Sequence, residues 1–475
     1  MSKQSEVCNP VEANRSKGAL NTEMQTNGGV PMTSRVVRSI AYFVTLAALL
    51  FSLSVGAGDS ARAAQNPTLT PEQWREDLRY LAEELPRRHL NAFHQTSPGV
   101  FAAAAAELDA EIPALSDHVI ATKMMRLVAM IGDAHTSLDL TTGRKPVRRY
   151  PIFFSNRKDG LFVTAVRNIR SGGRRTPLRY AYAQAIGARL VRVGDMEVEQ
   201  VVRLVSSLAS TDPGNTYSLT ERIPFFLRVP EILNALGIMP DMERGRYVVE
   251  GSDGHRMEIE LAPFEVSDAG QVSYLRWPGL RRWSDPLVYS RPDTVFYWYE
   301  YLADKRTLYF RYRFCREMAS LPFAVFAQQV GEVVETNDVD RLVIDLRDNP
   351  GGDSSIFQPY LEGIRRMPRF NQRGKLFVLM NNGTASSAMI HANSFQLLTQ
   401  AILIGEPTGG RPNSYGELGN FNLPNSGLRV NYSTKFFRLR LDDDPPAVMP
   451  EILVEYPWAA YQSGRDPVLE MALSY

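Results

Sequence analysis

Three continuous apolar runs of strand length constrain the fold of this chain more than any other feature of its sequence. They are RLVIDL (341–346), KLFVLM (375–380) and AILIGE (401–406), and helical patterns separate them. Each run leads into a segment rich in Gly, Asn or Pro. Such runs are typical of parallel strands that are buried on both faces and joined by crossover helices. The sequence therefore predicts a C-terminal α/β core built on a parallel sheet.

Different patterns precede this core and indicate an α/β protein of several domains. Residues 66–140 carry apolar residues at helical spacing, which predicts a helical N-terminal domain. Residues 144–270 alternate short β-like runs with turns, which predicts a β-rich cap domain with a helical interruption at 199–207. Residues 271–304 are rich in aromatic residues and proline and are interpreted as a connector, with an exposed aromatic ligand surface as the alternative. The core then covers 305–475.

The strongly apolar stretch 39–58 indicates export. A basic flank precedes it and an Ala-x-Ala pair (61–63) follows it. Residues 1–63 are therefore interpreted as an export leader with a signal peptide at about 32–63, and a start at Met32 gives a basic region of normal length. This predicts a periplasmic or extracellular protein that contacts the membrane only transiently, through its leader. An uncleaved membrane anchor is the alternative.

Charge and composition argue against several classes of function. The net charge is only +1, and the 53 basic residues are spread along the 475-residue chain, so no nucleic-acid-binding surface is expected. The sequence has no HExxH motif or paired-Cys metal motif, and its six His residues do not cluster, so no metal or other cofactor is expected. Cys8 leaves with the leader, and Cys315 is interpreted as a small core residue.

The loops at the carboxyl ends of the buried strands are the expected place for a ligand. One of them, NNGTASS (381–387), leads into a helical pattern that begins near Ser386. A serine at such a turn is exposed and lies near the positive end of the helix dipole, as a nucleophile requires. An ordinary helix cap formed by Thr384 or Ser386 is the alternative. The glycines of the neighbouring loop RDNPGGDSS (347–355) allow backbone N–H groups to approach a substrate carbonyl.

The order of these motifs resembles that of the tail-specific, or carboxyl-terminal-processing, serine peptidases. LVIDLRDNPGG (342–352), TASSA (384–388), ILIGEPTGG (402–410) and the tail PPAVMPEILVEY…GRDPVLEMAL follow one another in that family's order. AMIGDAHTSL (129–138) is similar to a segment of its tricorn-core branch. The resemblance implies a ClpP/crotonase-like peptidase core, hydrolysis through an acyl-enzyme, and a polypeptide substrate bound in extended form.

The resemblance also implies roles for individual residues. Ser386 is the implied nucleophile, and the backbone N–H groups of Ser387 and Gly351 form the implied oxyanion hole, with Gly352 as the fallback for Gly351. His135 is the implied general base, because a neutral imidazole suits that task near neutral pH.

Arg411 decides which branch of the family the sequence resembles, and the acidic residues 443–444 are the candidates for the third catalytic residue. Part of the family uses a lysine base after its GEPTxG segment, but this chain has Arg411 there, which stays protonated. The base is then expected to be the histidine of the tricorn-like branch. Asp444 is the implied acid that orients the histidine, where that branch uses a glutamate, and Asp443 is the next candidate.

The sequence thus predicts an exported serine endopeptidase that acts on extended or unfolded polypeptide. A catalytically inactive peptide- or ligand-binding protein on the same scaffold is the main alternative, favoured by Arg411, by Met389 and by the Asp-for-Glu change. An esterase or amidase with the same chemistry is a further one. Residues 187–208 resemble the carboxylate-binding half of a PDZ domain, and a shorter cap domain of related origin is expected. The sequence sets no oligomeric state.

Overall fold

The computed structural model describes residues 68–168, 182–265, 273–276 and 295–475. The expected leader and most of the expected connector lie outside these described residues. Within them, no helix combines the length and the apolar character that a membrane crossing requires.

The N-terminal region is helical, as expected. Its helices are α1 (Pro71–Arg88), α2 (Pro98–Glu111) and α3 (Asp117–Ala129). Helix α1 begins where the sequence supplies a capping box, because the side chains of Thr70 and Gln73 each accept the other's backbone N–H. Its apolar face is buried against the other helices. A short strand, β1 (Ser137–Asp139), follows α3.

The cap contains an antiparallel sheet and short helices. The strands are β2 (Ile152–Arg157), β3 (Gly160–Asn168), β4 (Arg189–Val193), β5 (Met196–Glu197), β6 (Gly245–Glu250), β7 (Arg256–Leu261) and β8 (Ser273–Arg276). The main path of the sheet has the order β2-β3-β4-β6-β7. The expected helical interruption is confirmed as α4 (Val198–Ser206), but α5 (Leu219–Phe226) and α6 (Pro230–Ala235) were not expected.

The C-terminal core is built on the expected parallel sheet. Its strands are β9 (Tyr297–Leu302), β10 (Thr307–Tyr312), β11 (Arg341–Asp345), β12 (Leu376–Met380) and β13 (Ile402–Gly405). A last strand, β16 (Ile452–Leu453), gives the order β16-β13-β12-β11-β10-β9, in which the pairs from β16 to β10 are parallel. The helices are α7 (Phe323–Thr336), α8 (Gln358–Arg365), α9 (Ser387–Leu398), α10 (Trp458–Ser463) and α11 (Pro467–Ser474). The mixed α/β fold is confirmed.

A long hairpin links the helical N-terminal region to the C-terminal core. Strands β14 (Asn413–Asn422) and β15 (Arg429–Arg438) pair antiparallel, and β1 pairs with the other side of β15. Helix α1 contacts the turn of the hairpin, since buried Asp77 accepts the backbone N–H groups of both its Asn425 and its Ser426. This docking brings the loop between α3 and β1 to the core.

Candidate active site

Ser386 lies at the turn between β12 and α9, in a conformation that is costly for a residue with a side chain. Its φ is +49° and its ψ is −127°. Its hydroxyl does not cap α9 and makes no hydrogen bond with any described residue. Thr384 is not the cap either, because its buried hydroxyl donates to the Leu346 carbonyl at 2.9 Å. Ser386 therefore lacks the side-chain hydrogen bond that a helix-capping serine would make.

The glycine loop after β11 packs directly on this turn. A Cβ atom at Gly351, whose φ is +100°, would lie 2.6 Å from Ser386 Cβ and 2.8 Å from the Ser387 nitrogen. The Ala385 N–H donates to the Asn349 carbonyl at 3.0 Å. The Ser387 hydroxyl donates to the Gly352 carbonyl at 2.5 Å. Only glycine fits at 351, so the two loops form one unit.

Two backbone N–H groups at this contact are available for an oxyanion. Those of Ser387 and Gly352 donate to none of the described residues. The Gly351 N–H already donates to the Asn349 side-chain oxygen at 2.9 Å. Of the expected pair, Ser387 therefore has a free donor and Gly351 is engaged, whereas the fallback residue Gly352 has a free donor.

A buried ion-pair network fixes the strand end that carries the glycine loop. Asp345 contacts Arg311 at 2.6 Å and Arg347 at 2.7 Å, and Arg347 binds Asp466 through two bonds of 2.7 and 2.8 Å. Burial alone would raise the pKa of Asp345, but the two guanidinium groups hold that pKa well below its usual range. Asp466 also caps α11. Asp345 and Arg347 of the LVIDLRDN segment and Asp466 of the GRDP segment thus support the loop.

His135 lies in the loop between α3 and β1, and Asp133 fixes that loop. The carboxylate of Asp133 accepts the His135 N–H at 2.8 Å, the His89 ring N–H at 2.7 Å and the Ser433 hydroxyl at 3.0 Å, as well as the Thr136 hydroxyl. Burial opposes ionisation, but these bonds lower the pKa of Asp133 to about 2. The sequence alone predicts no role for Asp133, although the residue lies in the AMIGDAHTSL segment (129–138) that carries His135.

The segment 410–416 lies against both Ser386 and His135. A Cβ at Gly410 would be 3.4 Å from the Ser386 nitrogen, and a Cβ at Gly416 would be 3.7 Å from His135 Cε1. The two side chains are not hydrogen-bonded to each other, and His135 Nδ1 is buried without a hydrogen-bond partner among the described residues. The nucleophile and base candidates therefore share a neighbour while the bond between them remains to be made.

The acidic candidates for the third role bind arginines. Asp444 is exposed and forms an ion pair with Arg411, with one contact of 3.2 Å between Arg411 Nε and Asp444 Oδ1. Asp443 is likewise exposed and pairs with Arg440 at 3.0 Å. Neither carboxylate bonds to His135 in this structure, so the role of Asp444 stays a prediction.

Neither a reactive thiol nor a metal site is found near the turn among the residues that the structure describes. Cys315 is buried, and burial raises the pKa of its thiol to about 12, which fits the small core residue that the sequence predicts. Among the residues that the structure describes, no group of three or more His, Cys, Asp or Glu side chains is placed to hold a metal ion.

A comparison with protein families finds a match for the part of the chain that carries Ser386. Residues 358–436 match the model of peptidase family S41. This segment, which contains Ser386, is that of a serine peptidase. The matched segment of the peptidase extends from α8 into β15, so it contains Ser386 and the hairpin beside His135. The match confirms, over these residues, the resemblance to the tail-specific serine peptidases that the sequence predicts.

Solved structures of low sequence identity resemble the peptidase. Mature CPAF in complex with lactacystin is 11% identical, with a TM-score of 0.56 over 85% of this chain and 98% of that chain. A second structure of mature CPAF is 12% identical, with a TM-score of 0.55 over 85% of this chain and 96% of that chain. The photosystem II D1 C-terminal processing protease is 14% identical, with a TM-score of 0.37 over 83% and 97%. The likeness to CPAF shows a common fold. No curated protein sequence matches the chain.

Proposed function

We propose that the peptidase hydrolyses peptide bonds through an acyl-enzyme formed on Ser386. The observation that carries the proposal is the geometry of this serine. Its backbone is held at a positive φ, its hydroxyl has no structural bond, and two free backbone N–H groups lie beside it. A structural cap needs none of these features, whereas an acyl-transfer site needs a free hydroxyl beside backbone N–H donors.

In the proposed reaction, Ser386 Oγ attacks the carbonyl carbon of the scissile peptide while His135 takes the hydroxyl proton. The N–H groups of Ser387 and Gly352 stabilise the resulting oxyanion, and the positive end of α9 adds to this effect. His135 then gives the proton to the leaving amine, which leaves an acyl group on Ser386. Water, deprotonated by His135, attacks that ester, and His135 returns the proton to Ser386 Oγ as the acyl–oxygen bond breaks and the carboxylic acid product leaves. Catalytic hydrogen bonds often form only in the substrate complex, which accounts for the open Ser386–His135 pair.

The proposed substrate is an extended or unfolded polypeptide. Strand β14 is at the end of the described β1-β15-β14 sheet and carries Gly416 beside His135. A peptide that adds to its outer edge would pass the base candidate, with backbone hydrogen bonds for affinity. Such a mode requires a segment free of its own secondary structure.

We further propose that the peptidase is exported and acts in the periplasm or outside the cell. The support is the basic flank, apolar stretch and Ala-x-Ala pair within residues 1–63. Mass spectrometry of the protein recovered from fractionated cells tests this proposal. A processed chain that begins near residue 64 in the soluble exported fraction supports it, whereas an intact chain in the membrane fraction supports the uncleaved anchor.

The test of the catalytic proposal is a cleavage assay with an unfolded fluorescent polypeptide and with matched peptide and ester substrates. Wild type is expected to cleave the peptides, and both Ser386→Ala and His135→Ala are expected to lose almost all turnover. Ser394→Ala, a second serine of α9, is the matched control and should cleave like wild type. Wild type that cleaves only esters would support the esterase alternative. Wild type that binds the polypeptide but cleaves nothing would support the inactive binding protein.

A further inference from the structure

A buried carboxylate of the cap lies beside the loop that carries the proposed base. Asp212, between α4 and α5, is only 3% exposed. One of its oxygens, Oδ1, accepts the backbone N–H of Ala134 at 3.0 Å. Ala134 directly precedes His135, so the cap holds the backbone of the base loop through this carboxylate.

The carboxylate of Asp212 can accept a further hydrogen bond more readily than the other candidate carboxylates. Each carboxylate oxygen of Asp133 already accepts two hydrogen bonds. Asp443 and Asp444 are more than half exposed and are paired with arginines. Asp212, in contrast, accepts the backbone N–H groups of Ala134 and Arg411, and because a carboxylate has about four acceptor sites it has room for a further donor.

The proposed base lacks the acceptor that a carboxylate would supply. His135 Nδ1 is buried without a hydrogen-bond partner among the residues that the structure describes, and leaving such a group unpaired is destabilising. A catalytic histidine needs an acceptor at this nitrogen so that the other one faces the nucleophile. We infer that Asp212 is the positioning residue of the site: in the substrate complex its carboxylate accepts the Nδ1–H of His135 and leaves Nε2 to Ser386, a bond that is not made in this structure. This inference rests on the proposed function.

The charges around Asp212 fit this role. Burial raises the pKa of Asp212, and the nearby Asp133 adds to the rise, while the Ala134 and Arg411 N–H groups and the His135 ring act against it. A positive His135 therefore favours the ionised carboxylate, so the imidazolium formed during attack and the carboxylate stabilise each other. Arg222 also faces this group and donates to the carbonyls of Ala134 and Ser210, at 2.6 and 2.5 Å, which ties the two loops together.

Arg411 acquires a role in this arrangement. Its guanidinium donates to the Pro213 carbonyl at 2.7 Å and pairs with Asp444. It therefore fastens the loop that carries Asp212 to the turn that carries Asp444. Asp444 would then act on the site indirectly, by holding Arg411 in place.

The test compares Asp212→Asn with Asp444→Asn by the rate of labelling with a fluorophosphonate and by kcat and KM for a peptide. Asn at 212 keeps the oxygen that accepts the Ala134 N–H but loses the charge. Asp212→Asn is expected to lower kcat and the labelling rate by about two to four orders of magnitude. The acid limb of its kcat/KM profile should move to lower pH, because the imidazolium has lost its counter-charge. Asp444→Asn should lose less than about tenfold and keep the wild-type pH profile.

A second measurement does not depend on the folding of the Asp212 variant. In wild type bound to a peptide boronic acid, proton NMR is expected to show a far-downfield histidine Nδ1–H resonance that His135→Ala abolishes. Asp444→Asn should keep this resonance. A wild-type rate in Asp212→Asn, or loss of the resonance in Asp444→Asn, would overturn the assignment to Asp212. Failure of the proposed function is seen separately, as wild type that takes no label, and would overturn both.

Discussion

At the scale of single residues, the candidate site depends on a glycine, because a side chain at this position would not fit. Gly351 lets the backbone of one loop approach Ser386 and Ser387 so closely that a Cβ would overlap both. Ser386 and the glycine loop can be identified from the sequence because each lies in a short motif. It does not show that the Gly351 N–H is engaged by Asn349, since that depends on how the loop closes on itself.

Gly351→Ala tests the contact between the two loops. The added Cβ would lie 2.6 Å from Ser386 Cβ and would sit on a backbone with φ of +100°. We expect a loss of about 1–3 kcal/mol in the free energy of unfolding and at least a tenfold loss of peptide cleavage. Gly363→Ala, in α8 with nothing within 4 Å of the new Cβ, is the control and should be slightly stabilising and fully active. Equal activity in both variants would contradict the close contact.

Asp133 makes the stability of the base loop depend on pH. Its pKa is about 2 in the fold against an ordinary 3.8, so folding favours the ionised form. This stabilisation is present above about pH 4 and is lost as the pH falls towards 2. Urea unfolding should show Asp133→Asn destabilised by about 2 kcal/mol at pH 7, with the difference from wild type shrinking in acid. Asp195→Asn, whose side chain is 82% exposed, should show no such dependence, and a similar loss there would contradict the assignment.

At the scale of elements, local patterns predicted the buried strands and the long helices but not the hairpin. Strands β11, β12 and β13 are continuous apolar runs, so their burial and parallel pairing can be inferred from the sequence. Strands β14 and β15 mix Gly, Asn and charged residues with apolar ones, and the pairing of β15 with β1 joins residues nearly 300 positions apart. Helices α5 and α6 are too short for a clear period and depend on packing.

Helix α9 contains a buried titratable residue, His391, which makes the stability of the core depend on pH in a different range from Asp133. It is fully buried against the ring of Phe357, and neither ring nitrogen has a hydrogen-bond partner among the described residues. Burial lowers the pKa of His391 to about 4. The neutral form is therefore the folded one, and its stabilisation is present above about pH 6.5 and lost as the pH falls towards 4.

His391→Met replaces this ring with an apolar side chain of similar size. The variant should be more stable than wild type, and the gain in thermal midpoint should be larger at pH 5 than at pH 8 because wild type alone loses stability in acid. His255→Met, at an exposed position, is the control and should show no change with pH. A gain that is equal at both pH values would contradict the buried neutral histidine.

At the scale of the whole molecule, the candidate site is assembled from distant parts of the chain. The base candidate comes from the helical N-terminal region, Asp212 from the cap, and Ser386 with its glycine loop from the core. The order of motifs predicted Ser386 and His135. It could not indicate Asp212, because no local pattern connects that residue to a base 77 positions earlier. Only the docking of the cap on the base loop brings them together.

The docking of α1 on the hairpin should therefore affect the site. Asp77→Ala removes a buried carboxylate that accepts the N–H groups of Asn425 and Ser426 at 2.7 and 2.8 Å. We expect a loss of about 2–4 kcal/mol in stability. The cleavage rate should also fall, since β15 holds the base loop through Ser433. Asp109→Ala, which breaks a half-exposed pair with Arg75, should cost less than about 1 kcal/mol and leave activity unchanged.

The central claim is that Ser386 is an activated nucleophile that depends on His135. The most direct test is mass spectrometry of the fluorophosphonate-treated protein, with peptide mapping of the adduct. The account predicts one stoichiometric adduct, located on Ser386 and not on Ser387, which His135→Ala forms far more slowly. An adduct on another residue, or none on folded wild type, would contradict it.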